Sequence, residues 1–166
     1  PPEVVREIAE ADPASYAQAA EFLNRSGADL LCVQHEFGIF GGVAGAHVLA
    51  LLRAVKMPIV TTLHTVLRAP GAEQRRIMDE LITLSDRLVV MTERGRMFLR
   101  ESYTVPAAKI DLIAHGIHDV PFEEPDRFKE HFAVDGRLVM LTFGLLSPNK
   151  GIEHVLDALA EIIAEF

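Results

Sequence analysis

The chain has 166 residues, 49% of them hydrophobic, with 16 Lys and Arg against 24 Asp and Glu and a formal net charge of −8. A chain of this length and apolarity buries roughly 68–70% of its unfolded surface; this excludes intrinsic disorder and leaves room for one domain, or one domain and a piece of another. The acidic balance argues against nucleic acid as a partner, because a phosphate-backbone binder needs a positive field. Pro1-Pro2-Glu3 lacks the layout of a signal peptide and reads as a point inside a longer chain. Residues 3–8 form a weak candidate strand. Asp12-Pro13 then supplies a cap and a first-turn proline for a helix with Tyr16, Ala19, Ala20 and Leu23 on one face, ending at Gly27.

Residues 29–35, Asp-Leu-Leu-Cys-Val-Gln-His, are short and apolar enough to be read as a central strand covered on both faces. Cys32 lies in this run and is the one cysteine, so intramolecular disulfides and cysteine zinc sites are excluded. As a small buried hydrophobe it suits a reducing, cytoplasmic setting. A glycine-rich loop at 38–45 leads to a helix with Val48, Leu51, Leu52 and Val55 inward. Two more units follow: a strand at 58–64 with a helix at 73–84, then a strand at 87–91 with a helix capped by Thr92. A short strand at 109–113 ends at His115-Gly116-Ile117. Strands alternating with helices predict an α/β fold on a Rossmann-like parallel sheet. No run approaches the ~18 apolar residues of a membrane span.

Residues 118–136 are rich in proline and acid, with a short helix around 127–132, and form the candidate linker. Residues 137–144 then read as a fresh buried strand and 145–151 as its loop. Ile152, Val155, Leu156, Leu159, Ile163 and Phe166 mark an amphipathic helix, whose apolar stripe predicts oligomer formation or packing back onto the chain's own sheet. The expected organisation is therefore 1–117, linker 118–136, and 137–166 as the opening of a second Rossmann-like domain.

Ligands of open parallel sheets bind beyond the carboxyl ends of the strands. His35, His64, His115 and His118 are all expected there. Gly38, Gly41, Gly42 and Gly45 free backbone N–H groups to face a phosphate or a sugar hydroxyl beside a helix N-terminus, or else serve a tight strand-to-helix turn. The loop matches neither the dinucleotide fingerprint nor the P-loop. In Gly144-Leu-Leu-Ser-Pro-Asn-Lys150-Gly151, a lysine and glycines at a helix mouth suit a diphosphate, the alternative being a solvated turn lysine. The absence of a Gly-x-Ser-x-Gly elbow argues against an α/β serine hydrolase. His35, Glu36, His115 and His118 lack metal-ligand spacing, so no metal is expected.

Taken together, three segments resemble the retaining glycosyltransferases of family 4, which have the GT-B fold of two facing Rossmann-like domains. They are Pro58-Ile-Val-Thr-Thr-Leu-His64, Ile113-Ala-His-Gly-Ile117 and Gly144 to Gly151, with Ser85-Asp86-Arg87 between them. Gln34-His35-Glu36-Phe37-Gly38 and the glycine loop are similar to a bacterial subgroup. The resemblance implies transfer of a hexose-type sugar from a nucleotide-sugar donor to a glycan or lipid-linked acceptor, such as a bacterial polysaccharide. His64 would be the catalytic histidine beside the transferred sugar. Lys150, Gly144 and Gly151 would bind the donor diphosphate. His35, Glu36, Gly41, Gly42, His115 and Gly116 would line the acceptor side of the cleft. The resemblance also implies no cofactor, a cytoplasmic location, and a full enzyme able to associate peripherally with a membrane.

Two departures stand out. Leu145 occupies the place of the family's phosphate-binding arginine, and the family's Glu, seven residues, Glu motif has no counterpart here. The first βα unit of the acceptor-side domain also has no counterpart, so the polypeptide alone is expected to be inactive or nearly so. The alternatives are a non-catalytic carbohydrate- or nucleotide-binding module on the same sheet, and a metal- or histidine-dependent hydrolase.

Overall fold

Short β-branched runs, each followed by a stretch of helical period, set the frame, and capping side chains fix where some of the helices begin. The computed structural model describes residues 4–144, 146 and 150–165. The chain divides into two compact units, Pro1–Ile117 and His118–Phe166.

In the first unit, helix α1 (Pro13–Arg25) starts where the Asp12 side chain accepts a hydrogen bond from the Ala14 N–H at 2.9 Å, with Pro13 in the first turn. Strand β1 (Leu31–His35) leads through the glycine loop into α2 (Val48–Ala54). Strand β2 (Ile59–Leu63) is followed by α3 (Ala72–Leu84), β3 (Arg87–Val90) by α4 (Glu93–Ser102), and β4 (Ile110–Leu112) ends the sheet. The Thr92 hydroxyl caps α4 by accepting from the Gly95 N–H at 3.0 Å. The four strands are parallel and lie in the order β1-β2-β3-β4. This is the expected α/β class with a Rossmann-like parallel sheet.

Consecutive strand order has a consequence for coverage. Right-handed crossovers that all step the same way place every connecting helix on one face. Val33, His35, Ile59, Thr61, Leu63, Leu88, Val90 and Ile110 are buried on that face. Tyr16, Ala19 and Ala20 of α1, Leu49 and Leu52 of α2, and Ile77 and Leu81 of α3 pack there around β1 and β2. Met78, Leu99 and Tyr103 form a second cluster with Leu63, Leu88 and Val90. The alternate residues Cys32 and Gln34 are exposed, and Val60, Thr62, Val89 and Asp111 are half-buried. The expectation of a central strand at 29–35, covered on both faces, is thus corrected for the described residues: among them β1 is the outermost strand of the sheet, and Cys32 is exposed rather than a core hydrophobe. Residues 4–8, within the weak candidate strand, pair with no strand.

The Ser85-Asp86-Arg87 run is a structural fastening. Ser85 donates to the Leu81 carbonyl at 2.7 Å and accepts from the buried Thr61 hydroxyl at 2.7 Å. Asp86 accepts from the Ile59 N–H at 2.8 Å and returns its own N–H to the Ile59 carbonyl. Arg87 forks onto the Asp111 carboxylate across to β4, a pairing that raises the arginine's pKa and lowers the aspartate's. Three consecutive side chains therefore tie β3 to α3, β2 and β4.

In the second unit, α5 (Asp126–His131) and α6 (Ile152–Glu165) are the helices among the described residues. The strand expected at 137–144 does not form. A parallel strand exists only through ladder bonds to a neighbour, and no described residue of this unit offers one. Leu138, Leu141 and Phe143 accordingly stay 95%, 75% and 87% exposed. Along α6, Val155, Leu156 and Ile163 of the expected stripe are likewise exposed, whereas Phe166 lies outside the described residues.

The buried hydroxyl pair gives a test of the fastening. Ser85→Ala strands the Thr61 hydroxyl and is expected to cost about 1–3 kcal/mol in urea unfolding. Adding Thr61→Val should recover part of that loss, as a double-mutant cycle would show.

Candidate functional site

The carboxyl ends of β1 and β2 meet because the two strands run in register, Leu31 opposite Ile59 through His35 opposite Leu63. Side chains two residues apart share a face, so Gln34, Thr62 and His64 come together on the open side. Gln34 Oε1 lies 2.8 Å from His64 Nε2, and Gln34 Nε2 donates to Thr62 Oγ1 at 3.4 Å. The main chain adds a bond from the His64 N–H to the His35 carbonyl at 3.0 Å. One residue further out, Glu36 accepts from the Thr65 hydroxyl at 2.7 Å and from the Phe37 N–H at 3.0 Å. The loop beyond is held from the other side, where the Tyr103 hydroxyl donates to the Leu67 carbonyl at 3.0 Å. Both ends of the His64 segment are fixed before any ligand arrives.

His64 is exposed and opens onto a groove of about 280 Å³ between the exits of β2 and β3. Thr65, Val66, Met91, Thr92, Arg94 and Phe98 line it with His64. The first turn of α4 forms one wall, so its partial positive charge and the Arg94 guanidinium face the same space. The Arg94 guanidinium lies 5.6 Å from the Phe98 ring centre. The His115 ring is 6.3 Å from that of His64, centre to centre. Next to it Gly116 is exposed, with nothing within 4 Å of where a side chain would begin. A larger groove of about 580 Å³ runs along α4 and the 104–107 turn, and no sequence-derived candidate lines it.

The candidates thus separate into groups. His64, Glu36 and His115 gather at one edge of the sheet. His35 has a fully buried side chain, with Phe37 edge-on at 5.2 Å and Phe40 stacked at 5.9 Å. Neither of its ring nitrogens has a hydrogen-bond partner. Burial, the largest cause, lowers its pKa from the ordinary 6.5 to about 4; His64 pushes the same way and Glu36 opposes. The imidazole is therefore neutral at pH 7. His118 belongs to the second unit. No group of three or more His, Cys, Asp or Glu side chains gathers into a metal-binding arrangement among the described residues.

Gly41 and Gly42 have a packing task. The Gly41 N–H donates to the Tyr16 hydroxyl at 3.1 Å, and that hydroxyl donates to the Glu10 carbonyl at 3.2 Å. A Cβ on Gly41 would stand 1.9 Å from the Glu10 oxygen, and one on Gly42, whose φ is +80°, 2.7 Å from the His47 ring. The Gly41 amide is thus already engaged by protein. In the second unit, Gly144 and Lys150 line one groove of about 340 Å³ with Leu141, Phe143 and Ile152. Gly144 and Gly151 take φ of +105° and +65°, backbone that glycine adopts without a Cβ clash. Leu145, Ser147, Pro148 and Asn149 lie outside the described residues.

Sequence reasoning did not assign Gln34, Thr65 or Arg94 a part in the site. The signal for Gln34 was the strand alternation that puts it on the face of His64 once β1 is paired with β2. Arg94 could have been found from its position just inside the helix that Thr92 caps.

Comparison with known proteins places this geometry in context. The family model described as Glycosyltransferase Family 4 matches residues 1–119. An alpha-D-kanosaminyltransferase of Streptomyces kanamyceticus is 22% identical over a region covering 73% of this chain and 36% of that protein. The chain therefore spans about a third of the length of this curated relative.

Two outcomes follow from the packed groups. Gly41→Ala should destabilise by about 1–3 kcal/mol through overpacking, and Tyr16→Phe by about 1 kcal/mol, both read as urea midpoints. For His35, the unfolded chain takes up its proton first as pH falls, since the folded pKa is the lower one. Its contribution is complete above about pH 6.5 and is lost as pH drops toward about 4. His35→Phe should flatten the fall in urea midpoint across that window; an unchanged slope would contradict the buried neutral imidazole.

Proposed function

The chain belongs to glycosyltransferase family 4, and from that premise we propose that it forms part of an enzyme moving a sugar from a nucleotide-sugar donor to a glycan or lipid-linked acceptor. In this reading residues 1–117 are the acceptor-side domain, 118–136 a linker and 137–166 the opening of the donor-side domain of a GT-B enzyme. The observation that carries it is the placement of His64, exposed and doubly braced at the carboxyl end of β2, on the groove beside the α4 N-terminus. The relative's name, a kanosaminyltransferase, is in keeping with transfer of a sugar.

The reaction breaks the bond between the anomeric carbon and the diphosphate oxygen and forms one from the acceptor oxygen to that carbon. Retention follows if the acceptor approaches on the face the diphosphate leaves. The acceptor's proton then passes to the departing phosphate oxygen. The largest electrostatic demand is the charge growing on that leaving group. Lys150, lining a groove with Gly144, is the side chain suited to meet it, and in this reading no bound metal takes part. His64 would contact the transferred sugar, with Glu36 and Thr65 keeping its loop in place. A cytoplasmic enzyme working on bacterial polysaccharide, attached peripherally to a membrane or self-associated through α6, fits this reading. No helix among the described residues is long and apolar enough to cross a membrane.

In the complete enzyme, His64→Ala and Lys150→Ala should each lower kcat ten-fold or more, on the order of 1.4 kcal/mol of transition-state stabilisation. Release of nucleoside diphosphate is the assay. Undiminished turnover in a folded variant would remove that residue from the mechanism.

A further inference from the structure

A neutral imidazole carries one N–H and one lone pair, and whichever nitrogen holds the proton decides what the other can do. His64 Nε2 lies 2.8 Å from Gln34 Oε1, an oxygen that can only accept. The far side of the same amide is also occupied, because its NH2 group faces Thr62 Oγ1 at 3.4 Å and Cys32 Sγ at 3.7 Å. The opposite orientation would place an N–H against Nε2 and the oxygen toward the Thr62 hydroxyl, so the way this amide faces sets which tautomer His64 adopts. Strand pairing fixes the distances, since Gln34 is opposite Thr62 and His64 follows on the same face. We propose that Gln34 is a positioning residue that holds His64 as its Nε2–H tautomer, leaving Nδ1 to accept a hydrogen bond from a sugar hydroxyl in the groove.

The part Nδ1 plays toward a sugar rests on the reading of His64 given above, whereas the tautomer does not. Cys32, Gln34 and Thr62 thus form a short polar row on the open face of the sheet whose function is to orient one ring. Glu36 is engaged with Thr65 and the Phe37 N–H, so it does not compete for the same imidazole.

Histidine-selective 15N labelling of the complete protein, with His64 assigned through His64→Asn, reads the tautomer directly. The wild type should show Nε2 protonated and Nδ1 bare; the reverse pattern overturns the proposal whatever the enzyme does. Gln34→Leu should mix the tautomers and lower kcat on the order of ten-fold, with little change in KM for the donor. Gln34→Glu still accepts from Nε2–H, so it should recover turnover relative to Gln34→Leu. Equal kcat and equal tautomer in wild type and Gln34→Leu would overturn the positioning role. Should Gln34→Leu fail to fold, Gln34→Met, closer in shape to the native side chain, takes its place with the same two readouts. Full turnover in His64→Ala, with the Nε2–H tautomer intact in the wild type, would instead sink only the assignment of His64 to the sugar.

Discussion

The parallel register of β1 on β2 decides which side chains meet at the carboxyl edge of the sheet, and most of the site depends on it. With Leu31 opposite Ile59, the alternation of the strands sends Val33, His35, Thr61 and Leu63 into the core and Gln34, Thr62 and His64 to the open face. A slip of one residue would exchange the two sets, exposing the apolar residues and burying an amide against a hydroxyl. Bonds at both ends hold the register, from the Leu31 N–H to the Pro58 carbonyl and from the His64 N–H to the His35 carbonyl, while the Thr61 and Ser85 hydroxyls and the grip of Asp86 on Ile59 anchor β2 on its other side. The candidate site residues are thus positioned by others that take no part in the site.

Features set by local periodicity and capping were legible in the sequence. Asp12 and Thr92 act as caps, Tyr16, Ala19 and Ala20 face inward, and so do Ile77, Met78 and Leu81. Features set by strand order were not. Whether a run such as Leu-Leu-Cys-Val is covered on one face or both depends on which neighbours flank it, and nothing in its own composition says so. The same limit hid the contact of Gln34 with His64, which spans 30 residues. The glycine loop erred in the other direction. Its composition suited a ligand, yet Gly41 is required by the close approach of Glu10 and His47.

His35 marks a cost accepted near the site. A buried imidazole with both nitrogens unpartnered gives up hydrogen bonds it would have in water. It is kept neutral between Phe37 and Phe40, so it adds no charge beneath the edge where His64 and Glu36 stand. The residues of β1 therefore divide by face into a silent group below and a hydrogen-bonding group above.

The one-directional strand order also governs how the first unit assembles in time. No two neighbouring strands are joined by a tight turn; each ladder closes a loop that contains a whole helix, as the 24-residue separation of Arg87 from Asp111 illustrates. Closing such loops costs entropy, growing slowly as the logarithm of their length, before any ladder bond repays it. The helices α1 and α3, each 13 residues long, can form locally, but the sheet cannot begin as a hairpin. Its first ladder must await collapse of a helix onto two strands, which places this unit among chains whose folding rate is limited by topology rather than by local propensity.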